Sequence, residues 1–140
     1  MFEKHVVVRF GECDGLGHVN NGTYFTYLEE ARMDLFRVFN PSLDLKLWNL
    51  IVASTRCDFL KQASYAQDLF VFTWIGRMGN SSFVVEQAIQ DIQGEWVARG
   101  QATLLAYDYA EGKPVPLWSD VRERLEVHLT GPQGVPPVRA

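Results

Sequence analysis

Between a short strand-like run and a long amphipathic segment, the chain reads Asp14-Gly15-Leu16-Gly17-His18-Val19-Asn20-Asn21. One carboxylate thus sits in a glycine-rich loop that runs straight into a helix start. The first-turn N–H groups of a helix have no intrahelical acceptor, and the macrodipole places about half a positive charge there. Such an end can hold an anion, including the oxyanion that develops on a carbonyl under attack. A carboxylate beside it can act as nucleophile or as general base on water. Carboxylate plus oriented amides is a minimal kit for acyl-transfer hydrolysis. Asp and Asn beside Gly before a helix are also ordinary turn and cap residues, so spacing alone leaves both readings open.

The helix that must present this end spans Thr23–Phe39. Tyr24, Tyr27, Leu28, Ala31, Leu35 and Val38 form one apolar stripe, and Glu29, Glu30, Arg32, Asp34 and Arg37 fall off it. Asn20 or Asn21 supplies N-cap chemistry, and Asn40-Pro41 stops the helix. His5–Gly11 reads as a strand before it. Four more strand-like segments follow, about Leu50–Leu60, Asp68–Met78, Phe83–Ile92 and Glu95–Tyr109. Gly79-Asn80-Ser81 and Gln93-Gly94 are turn signals, so the last three strands are antiparallel neighbours. Leu69, Val71 and Ile75 make one face of the second of these segments apolar, and Phe70, Phe72 and Trp74 the other, which predicts a sheet covered on both sides. Ser119–Leu129 reads as a shorter helix. Residues 1–129 form one domain, and the Pro- and Gly-bearing Thr130–Ala140 is expected to be a disordered tail. The class is α+β, a single apolar helix against a mainly antiparallel sheet.

Composition removes several function classes. A chain of 140 residues, 47% apolar, suffices for one core. Its 13 basic against 17 acidic residues give a net charge of −4, which argues against nucleic-acid or anionic-membrane partners. The apolar runs are strand-sized, so no membrane span is expected, and with no signal-peptide pattern the expected location is the cytoplasm. Cys13 and Cys57 cannot build a disulfide framework or a structural zinc site. His5, His18 and His128 lack ligand spacing, so no metal is expected. Cys13 has no assignable His partner that would make it a nucleophile. Neither a Gly-x-Ser-x-Gly elbow nor a phosphate-binding Gly-rich loop ending in Lys-Ser/Thr is present.

The run Asp14, Gly17-His18-Val19-Asn20-Asn21, Tyr24, Tyr27, Glu29-x-Ala31-Arg32 resembles the hotdog-fold acyl-CoA thioesterases of the 4-hydroxybenzoyl-CoA thioesterase-like group. Cys57-Asp58-Phe59-Leu60 with Asp68, Gly79-Asn80-Ser81-Ser82-Phe83 with Glu86, and Val97-Ala98-Arg99-Gly100 continue the likeness in order, from about residue 5 to 116. The resemblance implies a five-stranded antiparallel sheet wrapped around one long central helix. It also implies a homodimer or homotetramer with sites at the subunit interface, and hydrolysis of an acyl-CoA to free acid and CoA with no separate cofactor. Carried over by position, Asp14 is the catalytic carboxylate and the backbone amide of Asn21 the oxyanion donor. His18, Asn20 and Tyr24 shape the substrate pocket. Arg77 is the first candidate for the CoA phosphates, with Lys61 and Arg99 after it, and Ser81 and Ser82 for pantetheine or phosphate. Asn20-Asn21 stand where aromatic-CoA members carry large side chains, which speaks against a 4-hydroxybenzoyl substrate. Acyl length, and CoA against acyl carrier protein as the carrier, stay open. Two other activities use the same residues: a non-catalytic module binding an acyl thioester, and a hydratase or dehydratase, since His18 follows Asp14 by four positions.

Overall fold

A computed structural model describes all 140 residues. Strands β1 (Phe2–Val7), β2 (Leu50–Phe59), β3 (Asp68–Met78), β4 (Ser82–Asp91) and β5 (Trp96–Asp108) form one antiparallel sheet in the order β1-β3-β4-β5-β2. A two-residue β6 (Lys113–Pro114) adds to the end of β5. The β3–β4 and β4–β5 neighbours are those the turn signals predict. Strand β2 joins beside β5 instead of beside β3, the next strand in sequence, and forms one edge. Its register runs from Leu50 opposite Ala106 to Phe59 opposite Ala98.

The expected single helix is two, α1 (Asn21–Ala31) and α2 (Met33–Phe39), interrupted at Arg32. The Arg32 N–H is shared between the Leu28 and Glu29 carbonyls, both at 3.1 Å, and its ψ has relaxed to −9°. The periodicity hid this break because both halves keep their apolar stripe toward the sheet. Tyr24, Tyr27, Leu28 and Ala31 pack on Leu69, Val71, Ile89 and Ala98, and Leu35, Phe36 and Phe39 on Ile75, Phe83, Val85 and Leu104. The helix approaches β5 closely at Gly100, where an added Cβ would stand 2.7 Å from Leu28 Cδ1. The Ser119–Leu129 segment is α3 (Ser119–Leu125) followed by a 3₁₀ turn over Glu126–His128.

The other face of the sheet is covered by the segment expected to be disordered. Gly131 lies on the indole of Trp74, and Val135 packs on the cluster of Phe72, Trp74 and Ala88. Arg99 Nε donates to the Pro136 carbonyl at 2.8 Å, and the Arg139 N–H donates to Asp58 Oδ2 at 2.8 Å. Composition correctly denies this strap a helix or strand of its own. What holds it is the apolar outer row of β3, which only the assembled sheet creates. A Cβ at residue 131 would stand 2.5 Å from Trp74 Cε2, and a ring cannot yield as a flexible chain end can. Gly131→Val is therefore expected to cost about 1–3 kcal/mol, as overpacking does. A fall in the thermal unfolding midpoint checks this, and an unchanged midpoint would mean the strap contributes nothing to stability.

Candidate active site

The loop before α1 is a pinned hairpin. Cys13 and Val19 form an antiparallel bridge, and the Asp14 N–H donates to the His18 carbonyl at 2.7 Å. Gly17 turns the chain with φ +81°, and its N–H donates to the Asp14 carbonyl at 3.1 Å. A second bridge, His18 with Ser64, and the Val19 N–H donating to Ala63 O at 2.9 Å tie the hairpin to the segment after β2. The Tyr24 hydroxyl accepts the Ala63 N–H at 3.2 Å. Glu12 anchors the far side. Its carbonyl accepts the Asn20 N–H at 3.0 Å, and its carboxylate accepts Tyr27 Oη–H at 2.7 Å and the Arg9 N–H at 2.8 Å. Burial works against the Glu12 charge, but these donors outweigh it and lower its pKa.

Within this frame Asp14 is exposed and charged. Its Oδ1 accepts the N–H groups of Leu16 at 2.8 Å and His18 at 3.1 Å, and Oδ2 has no partner in the chain. The Leu16 N–H, then that of His18, hold its pKa below the ordinary aspartate value. Asn20 takes the N-cap position at φ −59° and ψ 140°, yet its side chain does not cap. Its Nδ2 donates to the Glu12 carbonyl at 3.4 Å instead. The Thr23 N–H finds Asn20 O at 2.9 Å, while those of Asn21 and Gly22 have no acceptor in the chain. The helix end is thereby left with free donors, as an anion site requires.

Asp14, His18, Asn20, Asn21 and Tyr24 line one pocket of about 340 Å³, closed on the far side by Phe59, Leu60, Lys61 and Gln62. Phe59 and Leu60 carry part of the resemblance but are not expected at the site from the sequence, and Gln62 is not singled out at all. They arrive because the exit of β2 passes the helix start, and Phe59 packs on Tyr24 at a ring separation of 5.4 Å.

The cations expected for substrate are distributed differently. Lys61 is at the pocket, but its ammonium is tied to Asp91 at 3.0 Å and to Glu95. Arg99 is 6% exposed on the strap-covered face. Its N–H groups go to Pro136 O, Gly100 O at 2.7 Å and Gln87 O at 3.2 Å, with Glu86 beside them and Trp74 beneath at 5.1 Å. Within one chain it is held by the strap and these carbonyls and does not line the Asp14 pocket, where the sequence leads one to expect a substrate contact. Arg77, Ser81 and Ser82 stand where β3 and β4 meet (Met78 opposite Phe83), whereas the pocket adjoins the opposite end, where Gln90 faces Trp96. They do not meet Asp14 within one chain. Burial, then Asp58, pushes the Cys57 thiol up to about 11, so it stays protonated. Cys13 packs against the core and its Sγ lies 3.7 Å from the Arg9 carbonyl. No helix is long and apolar enough to cross a membrane.

A curled antiparallel sheet on a central helix is the hotdog fold, and this chain sets a carboxylate hairpin at the helix's amino end. The sequence matches the thioesterase-like superfamily over residues 8–125, and the chain belongs to that family. It is similar to a predicted thioesterase from Bacillus stearothermophilus, with a TM-score of 0.90 and 32% identity over 94% of this chain and 98% of that one. A thioesterase from Thermus thermophilus, crystallised with coenzyme A and Zn, gives a TM-score of 0.80 at 32% identity, covering 89% of this chain and 96% of that one. The long-chain acyl-CoA thioesterase FadM of Escherichia coli is 25% identical over 89% of this chain and 96% of its own length. The protein is a thioester hydrolase.

Proposed function

We propose that the protein hydrolyses acyl-CoA thioesters at the Asp14 pocket. The carrying observation is that a carboxylate with one unpartnered oxygen and a helix start with unpaired amides open on one cavity. With Asp14 as general base, a water attacks the thioester carbon and gives its proton to Oδ2. The oxyanion accepts the Asn21 N–H, and collapse expels the CoA thiolate, which takes the proton from Asp14. With Asp14 as nucleophile, its oxygen bonds to the acyl carbon, the thiolate leaves, and water cleaves the resulting anhydride. CoA in the Thermus relative and the long-chain acyl-CoA activity of FadM support this substrate class.

The outer edge of β2 is unpaired. Antiparallel pairing of β2 with the same strand of a second copy would bring the Leu50 end of one to the Phe59 end of the other. Arg77, Ser81 and Ser82 of one copy would then approach the Asp14 pocket of its neighbour, with Arg77 free to meet CoA phosphates. A homodimer is therefore part of the reading, as is a cytoplasmic setting, where Cys13 and Cys57 remain reduced.

A thiol-release screen over short, medium, long and aromatic acyl-CoAs, with Asp14→Ala as control, tests this. Turnover on at least one class, lost in the variant, is the expected result. Stoichiometric binding without thiol release would make the protein a carrier module. Loss of enoyl absorbance without thiol release would make it a hydratase.

A further inference from the structure

Arg32 is 4% exposed, yet its guanidinium makes one hydrogen bond, from Nη1 to Gln87 Oε1 at 3.1 Å. Its Nε is buried with no acceptor. Gln87 is held by its own donations, to the Leu28 carbonyl at 2.8 Å and Thr73 Oγ1 at 3.0 Å, so it cannot swing round to offer more. No carboxylate reaches ion-pair distance of Arg32. A guanidinium stays charged, and Glu29 at the cavity rim acts on it only through space, so the buried head has neither an ion pair at contact nor an acceptor for Nε, which is costly. A ligand that brings an anionic acceptor removes that cost.

The space for one is present. Arg32 borders a cavity of about 290 Å³ walled by Phe36, Trp48, Leu50 and Leu104, with Glu29 and Val52 exposed at its rim. At ~30 Å³ for each water-sized group, it holds roughly ten non-hydrogen atoms. An apolar wall with one cation that lacks a contacting carboxylate selects an apolar body with one carboxylate. We propose that this cavity binds a carboxylic acid of medium size, its carboxylate on Arg32 and its body against Phe36, Trp48 and Leu50.

This cavity is not the Asp14 pocket of the same chain. Arg32 follows Asn21 by eleven residues, about 16 Å along the helix at ~1.5 Å per residue. The cavity's Leu50–Val52 wall belongs to the β2 edge, which the self-pairing proposed above would set toward the Phe59 end of a second copy and its Asp14 pocket, so the acid is named as one of the class that thioester hydrolysis releases. Only that naming of the acid rests on the proposed function; the binding does not. Glu29 at the rim opposes an anion, and Glu29→Gln is expected to tighten binding.

Isothermal titration of the full-length protein with octanoate and with octanol tests the proposal. Octanoate is expected to bind saturably, and octanol at least about tenfold more weakly, as loss of a charge-assisted pair implies. Arg32→Met is expected to weaken octanoate by a similar factor. Met33→Trp, which fills the cavity from a half-buried position and keeps Arg32, is expected to abolish binding and decides the matter should Arg32→Met fail to fold. Asp14→Ala is expected to bind octanoate as the wild type does. Absence of octanoate binding, equal affinity for octanol, or undiminished binding by a folded Arg32→Met protein overturns the proposal. Each leaves the thiol-release result untouched, so the two readings fail separately.

Discussion

Asp14→Asn is expected to lower kcat by about 10²–10⁴, the range that a positioned base contributes. The substitution is close to isosteric. An asparagine Oδ1 can still accept the Leu16 and His18 N–H groups, so the hairpin keeps its two anchors and only the negative charge is lost. The side chain is exposed and touches no core residue, so the melting temperature should stay at the wild-type value. Thiol release on the best acyl-CoA, read beside a thermal melt, separates a chemical effect from a folding one. Wild-type turnover in Asp14→Asn would remove this residue from the reaction.

The wild-type pH profile carries the same information. Because its pKa is lowered by the Leu16 and His18 N–H groups, Asp14 remains ionised below the ordinary aspartate range. The acid limb of kcat/KM should therefore fall below pH ~4. Acid unfolding competes in the same window. Glu12, Asp58 and Asp91 also have lowered pKa values. Groups of that kind add stability that is present above their unfolded-state pKa and lost as pH falls through the folded one. Assays after a brief acid exposure and return to neutral pH distinguish reversible titration of Asp14 from unfolding.

Asn21→Pro is the second large effect, expected to lower kcat by about 10²–10³, as removal of an oxyanion donor does. Proline is tolerated as the first helical residue, where its missing N–H costs the helix nothing. Asn21 is that first residue, and Asn20 before it already has the extended φ −59° and ψ 140° that a pre-proline position favours. The substitution thus deletes one free amide while keeping the helix start. KM should move less than kcat, because the donor matters most when charge develops on oxygen. A kcat within a factor of about two of wild type would place the oxyanion elsewhere, with the Gly22 N–H the remaining free donor of the first turn.

The local elements were largely readable from the chain. Apolar runs and turn signals marked β2 to β5 to within a residue or two; in β3 to β5 burial on one or both faces dictates the side chains, whereas the middle of β2 is exposed. The carboxylate loop and the helix start were readable too, since glycine, asparagine and the onset of a 3.6-residue stripe are local signals. Arg32 shows the limit of such patterns. On the helix it reads as a polar position off the stripe, yet it is buried against Gln87, fifty-five residues away in sequence. The strap shows it from the other side: its prolines and glycines read as disorder, while Gly131, Val135 and Arg139 are held by Trp74, Phe72 and Asp58.

Residues near one another in the chain therefore determined the chemistry on offer: a charged Asp14, free amides at Asn21 and Gly22, and the hairpin that sets them side by side. The placement of the cations was decided by the folded sheet. Lys61 is claimed by Asp91 and Glu95, Arg99 by the strap and neighbouring carbonyls, and Arg77 is carried to the far end of the molecule. Turn and cap preferences act over a few residues and leave a mark in composition. Pairing of a cation with a carboxylate or carbonyl thirty or more residues away depends on strand order and register, which no local window contains.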